Sequence, residues 1–197
     1  MKNFEKNLPA EYKEVFHIDA LNKKTGLILN LVAFIPVIAM IVVFCMTLDE
    51  SIFIINAEDL PSFLLRMLGI IGSLVLYMIL HELVHGIAYK ALTGEKLTFG
   101  LSWSCAFCGV PNVYVYRKTA IIALMAPFVV FTLLFLPLTI ISYFFNTYLY
   151  LLFGILLSMH LGGCSGDLYM FFLLIFRFKD KALLMRDTGP EQWLYVK

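Results

Sequence analysis

Four long apolar runs with few charges inside them dominate this chain of 197 residues. They extend over about 26–48, 62–92, 119–145 and 147–176, and each is as long as the roughly 20 apolar residues that a helix needs to cross a bilayer. Hydrophobic residues make up 61% of the chain, against about 45–50% in ordinary soluble domains. The sequence therefore predicts an all-α polytopic membrane protein with four transmembrane helices, forming a single domain in the lipid bilayer.

The segment between the second and third runs differs in kind from the spans. Residues 93–118 contain three glycines and the turn signal Pro111-Asn112, followed by the β-prone run Val113-Tyr114-Val115-Tyr116. We expect a short hairpin or re-entrant loop here.

Basic residues near the ends of the spans predict the orientation of the chain. The first 25 residues hold five lysines, and both the loop after the second span and the tail 177–197 are also basic, whereas the other two loops hold almost no Lys or Arg. Because basic loops stay on the cytoplasmic side, both termini are predicted to be cytoplasmic. The amino-terminal segment lacks the apolar core of a signal peptide, so the first span is expected to remain as an anchor.

Charge and cysteine content narrow the classes of function. The formal net charge is only +1, which gives no clustered excess of Lys and Arg for binding nucleic acid. Cys105 and Cys108 form a C-x-x-C pair without the second ligand pair of a zinc ribbon, so a free or redox-labile pair is favoured over structural metal. Cys45 and Cys164 lie in apolar runs, where a thiol packs as a small hydrophobic group.

The second apolar run contains the motif His81-Glu82-Leu83-Val84-His85. Each residue of a helix turns by about 100°, so the two histidines lie about 40° apart on one face and one turn apart in height. Two imidazoles in this arrangement can bind one metal ion. Glu82 lies beside them, where it can act as general base toward a water that the metal acidifies. Ionisable groups inside a span cost several kcal/mol unless they are paired or functional, which strengthens the prediction.

A catalytic zinc usually has three protein ligands, so a third ligand is expected from another span. The later spans offer His160 and Asp167, seven residues apart. In a continuous helix they would differ by about 10 Å in height, so only one of them can bind the same ion. Asp167 is favoured because it neutralises part of the charge and follows a glycine-rich break. His160 is left with three open roles: substrate binding, support of a ligand, or replacement of Asp167.

Several segments outside the motif match a wider pattern. They are the loop with its two cysteines, Arg117 ahead of Ala126-Pro127, Gly166-Asp167-Leu168, and the terminal segments 8–13, 179–183 and 187–189. Together with the motif, these segments resemble a bacterial family of membrane zincin peptidases, and the resemblance covers nearly the whole chain. The arrangement is also similar to site-2 proteases, in which a His-Glu-x-x-His helix and an Asp of a later span bind zinc.

The resemblance implies a zinc cofactor, with His81, His85 and Asp167 as ligands and Glu82 as the catalytic residue. The leading hypothesis is a zinc-dependent endopeptidase of the bacterial cell membrane that cuts a membrane-spanning or membrane-adjacent peptide. Residues 110–116 are either an edge strand for that peptide or part of an ordinary hairpin. The alternative hypothesis is a non-catalytic metal-binding membrane protein, such as a transporter or a partner subunit.

Overall fold

Helices form most of the protein. The computed structural model describes residues 2–49, 59–102, 106–179 and 182–197. Its helices are α1 (Lys23–Thr47), α2 (Leu60–Thr93), α3 (Arg117–Tyr143), α4 (Thr147–Gly163) and α5 (Ser165–Phe172), which continues as a π-helical turn, Leu173–Arg177.

The helix ends follow from local sequence signals. α1 is capped by Asn22, whose side chain accepts a hydrogen bond from the Lys24 backbone N–H at 3.0 Å, and α4 is capped by Asn146 in the same way. α2 starts with a proline in its first turn and ends at Gly94, which has a φ of 71°. Only glycine adopts this left-handed conformation without steric cost, so the chain leaves α2 at this point.

Three helices, α1, α2 and α3, are long and apolar enough to cross a membrane. α4 and α5 with its π-helical turn form a bent pair that meets at an angle of 41°, and counting this pair as one span raises the number to four. The bend lies at Cys164, within the predicted glycine-rich break. The prediction of a polytopic membrane protein therefore agrees with the three to four candidate spans.

Seven short strands accompany the helices in the described ranges. They are β1 (Phe4–Glu5), β2 (Lys13–Asp19), β3 (Thr98–Leu101), β4 (Ala106–Gly109), β5 (Tyr114–Tyr116), β6 (Leu184–Asp187) and β7 (Glu191–Val196). Five of them form an antiparallel sheet in the order β1-β5-β6-β7-β2. The all-α prediction was wrong in this respect, because segments from both ends of the chain pair to form this sheet.

The predicted hairpin between the second and third spans is present as β3 paired with β4. Residues 114–116 do not belong to it. They form β5, which pairs with β1 on one side and with β6 on the other, and Val115 at its centre is fully buried. Of the two alternatives for 110–116, β5 is neither a free edge strand nor part of the β3–β4 hairpin, because both of its backbone edges are hydrogen-bonded to β1 and β6.

Two buried clusters hold the structure together. One joins the sheet to the adjacent helix ends and includes Tyr89, Val115 and Met185, and the other lies between α2, α3 and α4 around Tyr77 and Phe131. By contrast, many large apolar side chains of α1 and α2 are exposed. An exposed apolar surface of this extent is typical of a protein that contacts lipid rather than water.

Candidate metal centre

The buried face of α2 carries two tyrosines and two histidines at intervals of four residues. Tyr77, His81, His85 and Tyr89 are all buried, with exposed fractions of 7% for His81 and 6% for His85. A spacing of four residues places successive side chains one above the other on the same helix face. This face of α2 therefore lines up the two predicted metal-binding histidines with two tyrosines.

The third predicted ligand reaches this face from α5. The bend at Cys164 starts a new helix at Ser165, so that Asp167 lies in its first turn. The Oδ2 atom of Asp167 lies 3.5 Å from Nε2 of His81 and 3.3 Å from Nε2 of His85. The structure thus brings together the three residues that were predicted as metal ligands.

These distances suit a shared metal ion better than direct hydrogen bonds. Zinc bonds to imidazole nitrogen and carboxylate oxygen are about 2.0–2.1 Å long, so neighbouring ligand atoms of a tetrahedral site lie roughly 3.3–3.4 Å apart. A charge-assisted hydrogen bond would bring nitrogen and oxygen to about 2.7–2.9 Å. The ligand atoms of His81, His85 and Asp167 all lie within 4.8 Å of one another. Two imidazoles and one carboxylate are also an ordinary donor set for catalytic zinc.

His85 is oriented by the backbone of α3. Its Nδ1 atom lies 2.8 Å from the carbonyl oxygen of Ala123. In a regular helix this carbonyl would accept from the N–H four residues later, but that residue is Pro127, which has no N–H. Since a carbonyl only accepts, Nδ1 of His85 carries the proton, and we assign the lone pair to Nε2, which faces Asp167.

His81 is oriented by Tyr77. Nδ1 of His81 lies 2.9 Å from the hydroxyl oxygen of Tyr77, which lies 3.0 Å from Nδ1 of His160. The Nε2 atom of His160 lies 3.3 Å from the carbonyl oxygen of Phe128 and 3.1 Å from the hydroxyl oxygen of Thr132. We assign the proton of His160 to Nε2, so that the Tyr77 hydroxyl donates to His160 and accepts from Nδ1–H of His81. Nε2 of His81 is then free to bind metal.

The structure places His160 behind the predicted ligands. It is fully buried and reaches His81 through the Tyr77 hydroxyl, without an ion pair to Asp167 among the described residues. Of the three roles that the sequence left open, support of a ligand fits this position best. Tyr77 itself was missed, although its position four residues before His81 was a signal that it shares the ligand face.

A second group of metal-binding side chains overlaps the first. His81, His160 and Cys164 also bring one donor atom each to within 4.8 Å of one another. The Cys164 sulfur lies 3.6 Å from Nδ1 of His160, and the Tyr77 hydroxyl is hydrogen-bonded to both imidazoles. In this second group the Nδ1 atoms of His81 and His160 are hydrogen-bonded to Tyr77. The Nε2 atoms of His81 and His85 instead face the carboxylate of Asp167.

Glu82 points toward an open space beside the two histidines. It is half-buried and lines a cavity of about 610 Å³ together with His81, His85 and Asp167. The described part of the chain shows no hydrogen bond to the Glu82 side chain. A carboxylate in this position is free to bind a water or a substrate group in the cavity.

Asp187 connects the carboxy-terminal sheet to α2 at the edge of the same cavity. Its carboxylate accepts hydrogen bonds from the Tyr89 hydroxyl at 2.6 Å, the Gly189 backbone N–H at 2.9 Å and the Gln192 side chain at 3.1 Å. Burial raises the pKa of Asp187 to about 6, although these hydrogen bonds act in the opposite direction. Through the hydrogen bond to Tyr89, Asp187 anchors the carboxy-terminal segment to α2.

Cys108 also lines the cavity, from strand β4. It is a free cysteine, and burial raises the pKa of its thiol to about 12, which keeps the thiol protonated. Cys105 lies outside the described residues, so the predicted free or redox-labile state of the C-x-x-C pair stays a prediction.

Comparison with known proteins agrees with this geometry. A family model described as "Putative zincin peptidase" matches residues 74–182, which is more than half of the chain. The chain belongs to this family. The region shared with the zincin peptidase family includes Tyr77, all three predicted ligands, Glu82 and His160, but not α1 or the strands β6 and β7. No curated protein and no solved structure matches the chain.

Proposed function

We propose that this chain is a zinc-dependent endopeptidase that cuts a membrane-spanning or membrane-adjacent peptide. One observation carries the proposal: Nε2 of His81, Nε2 of His85 and Oδ2 of Asp167 converge at distances that fit zinc, with Glu82 beside them in a cavity. The membership in the zincin peptidase family supports zinc as the metal.

The residues of the site divide the chemistry between them. Bound zinc would polarise the carbonyl of the peptide and lower the pKa of a water to near 7. Glu82 accepts the proton of that water as it attacks the carbonyl carbon. Glu82 then gives the proton to the amine nitrogen as the carbon–nitrogen bond breaks. His81, His85 and Asp167 hold the metal, while Tyr77 and the Ala123 carbonyl keep the two imidazoles in the binding tautomer.

The position of the cavity supports an apolar peptide as substrate. Its walls come mainly from α1, α2 and the junction of α4 and α5, and most of the side chains that line it are apolar. Such walls allow an apolar segment to leave the bilayer without exposing its apolar side chains to water.

The sheet supports a topology with four spans and both termini on the cytoplasmic side. Strands β2, β5 and β6 lie in one sheet and therefore on one side of the membrane. The chain must cross an even number of times between β2 and β5 and again between β5 and β6. The helices α1 and α2 account for the first two crossings, and α3 with the bent α4–α5 pair accounts for the other two. The basic residues of the termini support the cytoplasmic assignment.

Reporter fusions test this topology directly. A reporter inserted at position 55 should lie on the outer side, and one at position 105 should lie in the cytoplasm. If both report the same side, the count of four spans is wrong.

The peptidase activity is tested by separating metal binding from turnover. We expect the purified native chain to hold about one zinc ion, as a three-ligand site requires. Glu82→Gln should keep the zinc and lose cleavage, which is measured by metal analysis and by comparing the membrane proteomes of cells that carry either chain. Glu14→Gln, on the exposed strand β2, is the matched control and should behave as the native chain.

The same experiment separates the proposal from its alternative. If Glu82→Gln retains zinc and supports every process that depends on the native chain, the protein is a metal-binding membrane protein without peptidase activity.

A further inference from the structure

One face of α1 forms a wall of the metal-site cavity. Its residues follow the helical spacing of three and four: Gly26, Leu29, Asn30, Ala33, Phe34 and Val37. The cavity-lining residues of α2 follow the same spacing, from Leu74 to His85. The two helices therefore each present one face to the same cavity, and the α2 face carries two of the three predicted zinc ligands.

Asn30 is the one polar side chain on the α1 face of this cavity. The part of the chain that the structure describes shows no hydrogen bond to its carboxamide. The Asn30 side chain is exposed, so its carboxamide is accessible to a molecule that enters the cavity. The Glu82 side chain, which lines the cavity from α2, likewise has no hydrogen bond among the described residues.

Contacts of the neighbouring residues place Asn30 beside the segment that holds Asp167. The Ser165 hydroxyl donates to the carbonyl oxygen of Leu29 at 3.4 Å. One turn further along α1, a Cβ on Gly162 would lie 2.5 Å from the carbonyl oxygen of Ala33, so the two helices are in close backbone contact. These contacts fix the height of Asn30 close to that of the metal site.

We infer that Asn30 binds the backbone of the peptide substrate in this cavity, an inference that rests on the proposed peptidase function. A peptide must be extended to be cut, and an extended peptide exposes N–H and C=O groups that apolar walls cannot satisfy. The Asn30 carboxamide offers two donors and one acceptor, so it can accept from the N–H and donate to the C=O of one residue of an extended peptide, since these two groups point to the same side. Asn30 therefore holds the peptide against α1 while Glu82 and the metal ligands reach it from α2 and α5.

Photo-crosslinking tests the position of the peptide without requiring cleavage. A photo-reactive amino acid at position 30 in the Glu82→Gln variant is compared with one at position 31, where Leu31 is 60% exposed and lies outside the cavity lining. The probe is a biotin-labelled synthetic apolar peptide of about 20 residues with a central Gly-Pro pair, added to the protein in lipid vesicles. Crosslinking from position 30 alone is expected, and equal crosslinking from both positions would overturn the inference.

Kinetics with the same peptide test the role of the carboxamide. Asn30→Ala should raise KM about 10-fold, the effect of one or two lost hydrogen bonds, and leave kcat and zinc content nearly unchanged. Asn30→Gln should recover part of the loss, and Leu31→Ala should match the native chain. An unchanged KM in Asn30→Ala would refute the inference and leave the peptidase proposal intact. Selective crosslinking in Glu82→Gln, together with no cleavage of the same peptide by the native chain, would instead support the binding role and count against the peptidase.

Discussion

The Nδ1 atom of His85 lies 2.8 Å from the carbonyl oxygen of Ala123, which is the residue four positions before Pro127. A proline inside a helix leaves the carbonyl four residues before it without its usual N–H partner. In this protein Nδ1 of His85 takes the place of that N–H. Pro127 thus acts on the candidate metal centre through the backbone of α3 rather than through its own side chain.

Replacing Pro127 should weaken zinc binding. Pro127→Ala restores an N–H that competes with His85 for the Ala123 carbonyl, so Nδ1 of His85 loses its fixed acceptor. We expect about 10-fold weaker zinc binding, at the lower end of the range for groups that support a metal ligand. The matched control is Pro137→Ala in the same helix, and zinc titration of the three chains is the measurement. Equal zinc affinity in both variants would show that the carbonyl does not orient His85.

Tyr77→Phe should also weaken zinc binding, by about 10- to 100-fold. The ring stays in place, but His81 and His160 lose the hydroxyl that connects them. The matched control is Tyr150→Phe, which removes a hydroxyl bonded to Thr47 in another part of the helix bundle. Competition with a zinc chelator measures the affinities, and an unaltered affinity in Tyr77→Phe would contradict the assigned hydrogen-bond chain.

His160 and Asp167 should differ in their effect on bound metal. Asp167→Ala removes a predicted ligand, so we expect the zinc to be lost, as in His81→Ala and His85→Ala. His160→Ala removes only the support behind Tyr77, so zinc should remain while activity falls. Metal analysis of the purified variants decides the question. Full zinc in Asp167→Ala together with loss in His160→Ala would exchange the two assignments.

Asp187 should make the stability of the fold depend on pH. Burial raises the pKa of Asp187 from 3.8 to about 6, so between these values the folded chain keeps a proton that the unfolded chain has released. The free energy of unfolding therefore falls as the pH rises from 4 to 6, by at most about 3 kcal/mol. Asp187→Asn should flatten this dependence. Thermal unfolding of the chelator-treated protein in detergent measures it, with Asp19→Asn as control, and an unchanged slope in Asp187→Asn would refute the assignment.

The three candidate metal ligands could be selected from the sequence because ionisable residues are rare in their surroundings. Few ionisable residues lie inside the apolar runs, so the histidine pair of α2 and the single aspartate of the last span stand out, and helical geometry determines which of them share a face. Tyr77 was missed because an aromatic residue in a span usually indicates packing. Its role depends on the rotation of α4, which places His160 within reach and which no local pattern in the sequence specifies.

The sheet was missed for a different reason. Its strands have two to seven residues each, and β1 and β2 pair with partners that are more than 100 positions away in the sequence. Strand formation in such short segments depends on their partners more than on their own composition. The turn between β6 and β7 did carry a local signal, since Gly189 has a φ of 103° and is followed by Pro190.

The pairing of β2 with β7 has a consequence for biosynthesis. β2 precedes the first helix and β7 follows the last one, so the sheet can close only after every span has left the ribosome and entered the membrane. The contact of Asp187 with Tyr89 forms at the same stage, because β6 and β7 are made together. A partly translated chain would therefore carry the histidines of α2 without the residues of the β6–β7 segment that line the cavity. The proposed peptidase activity would therefore begin only when translation of the helices is complete.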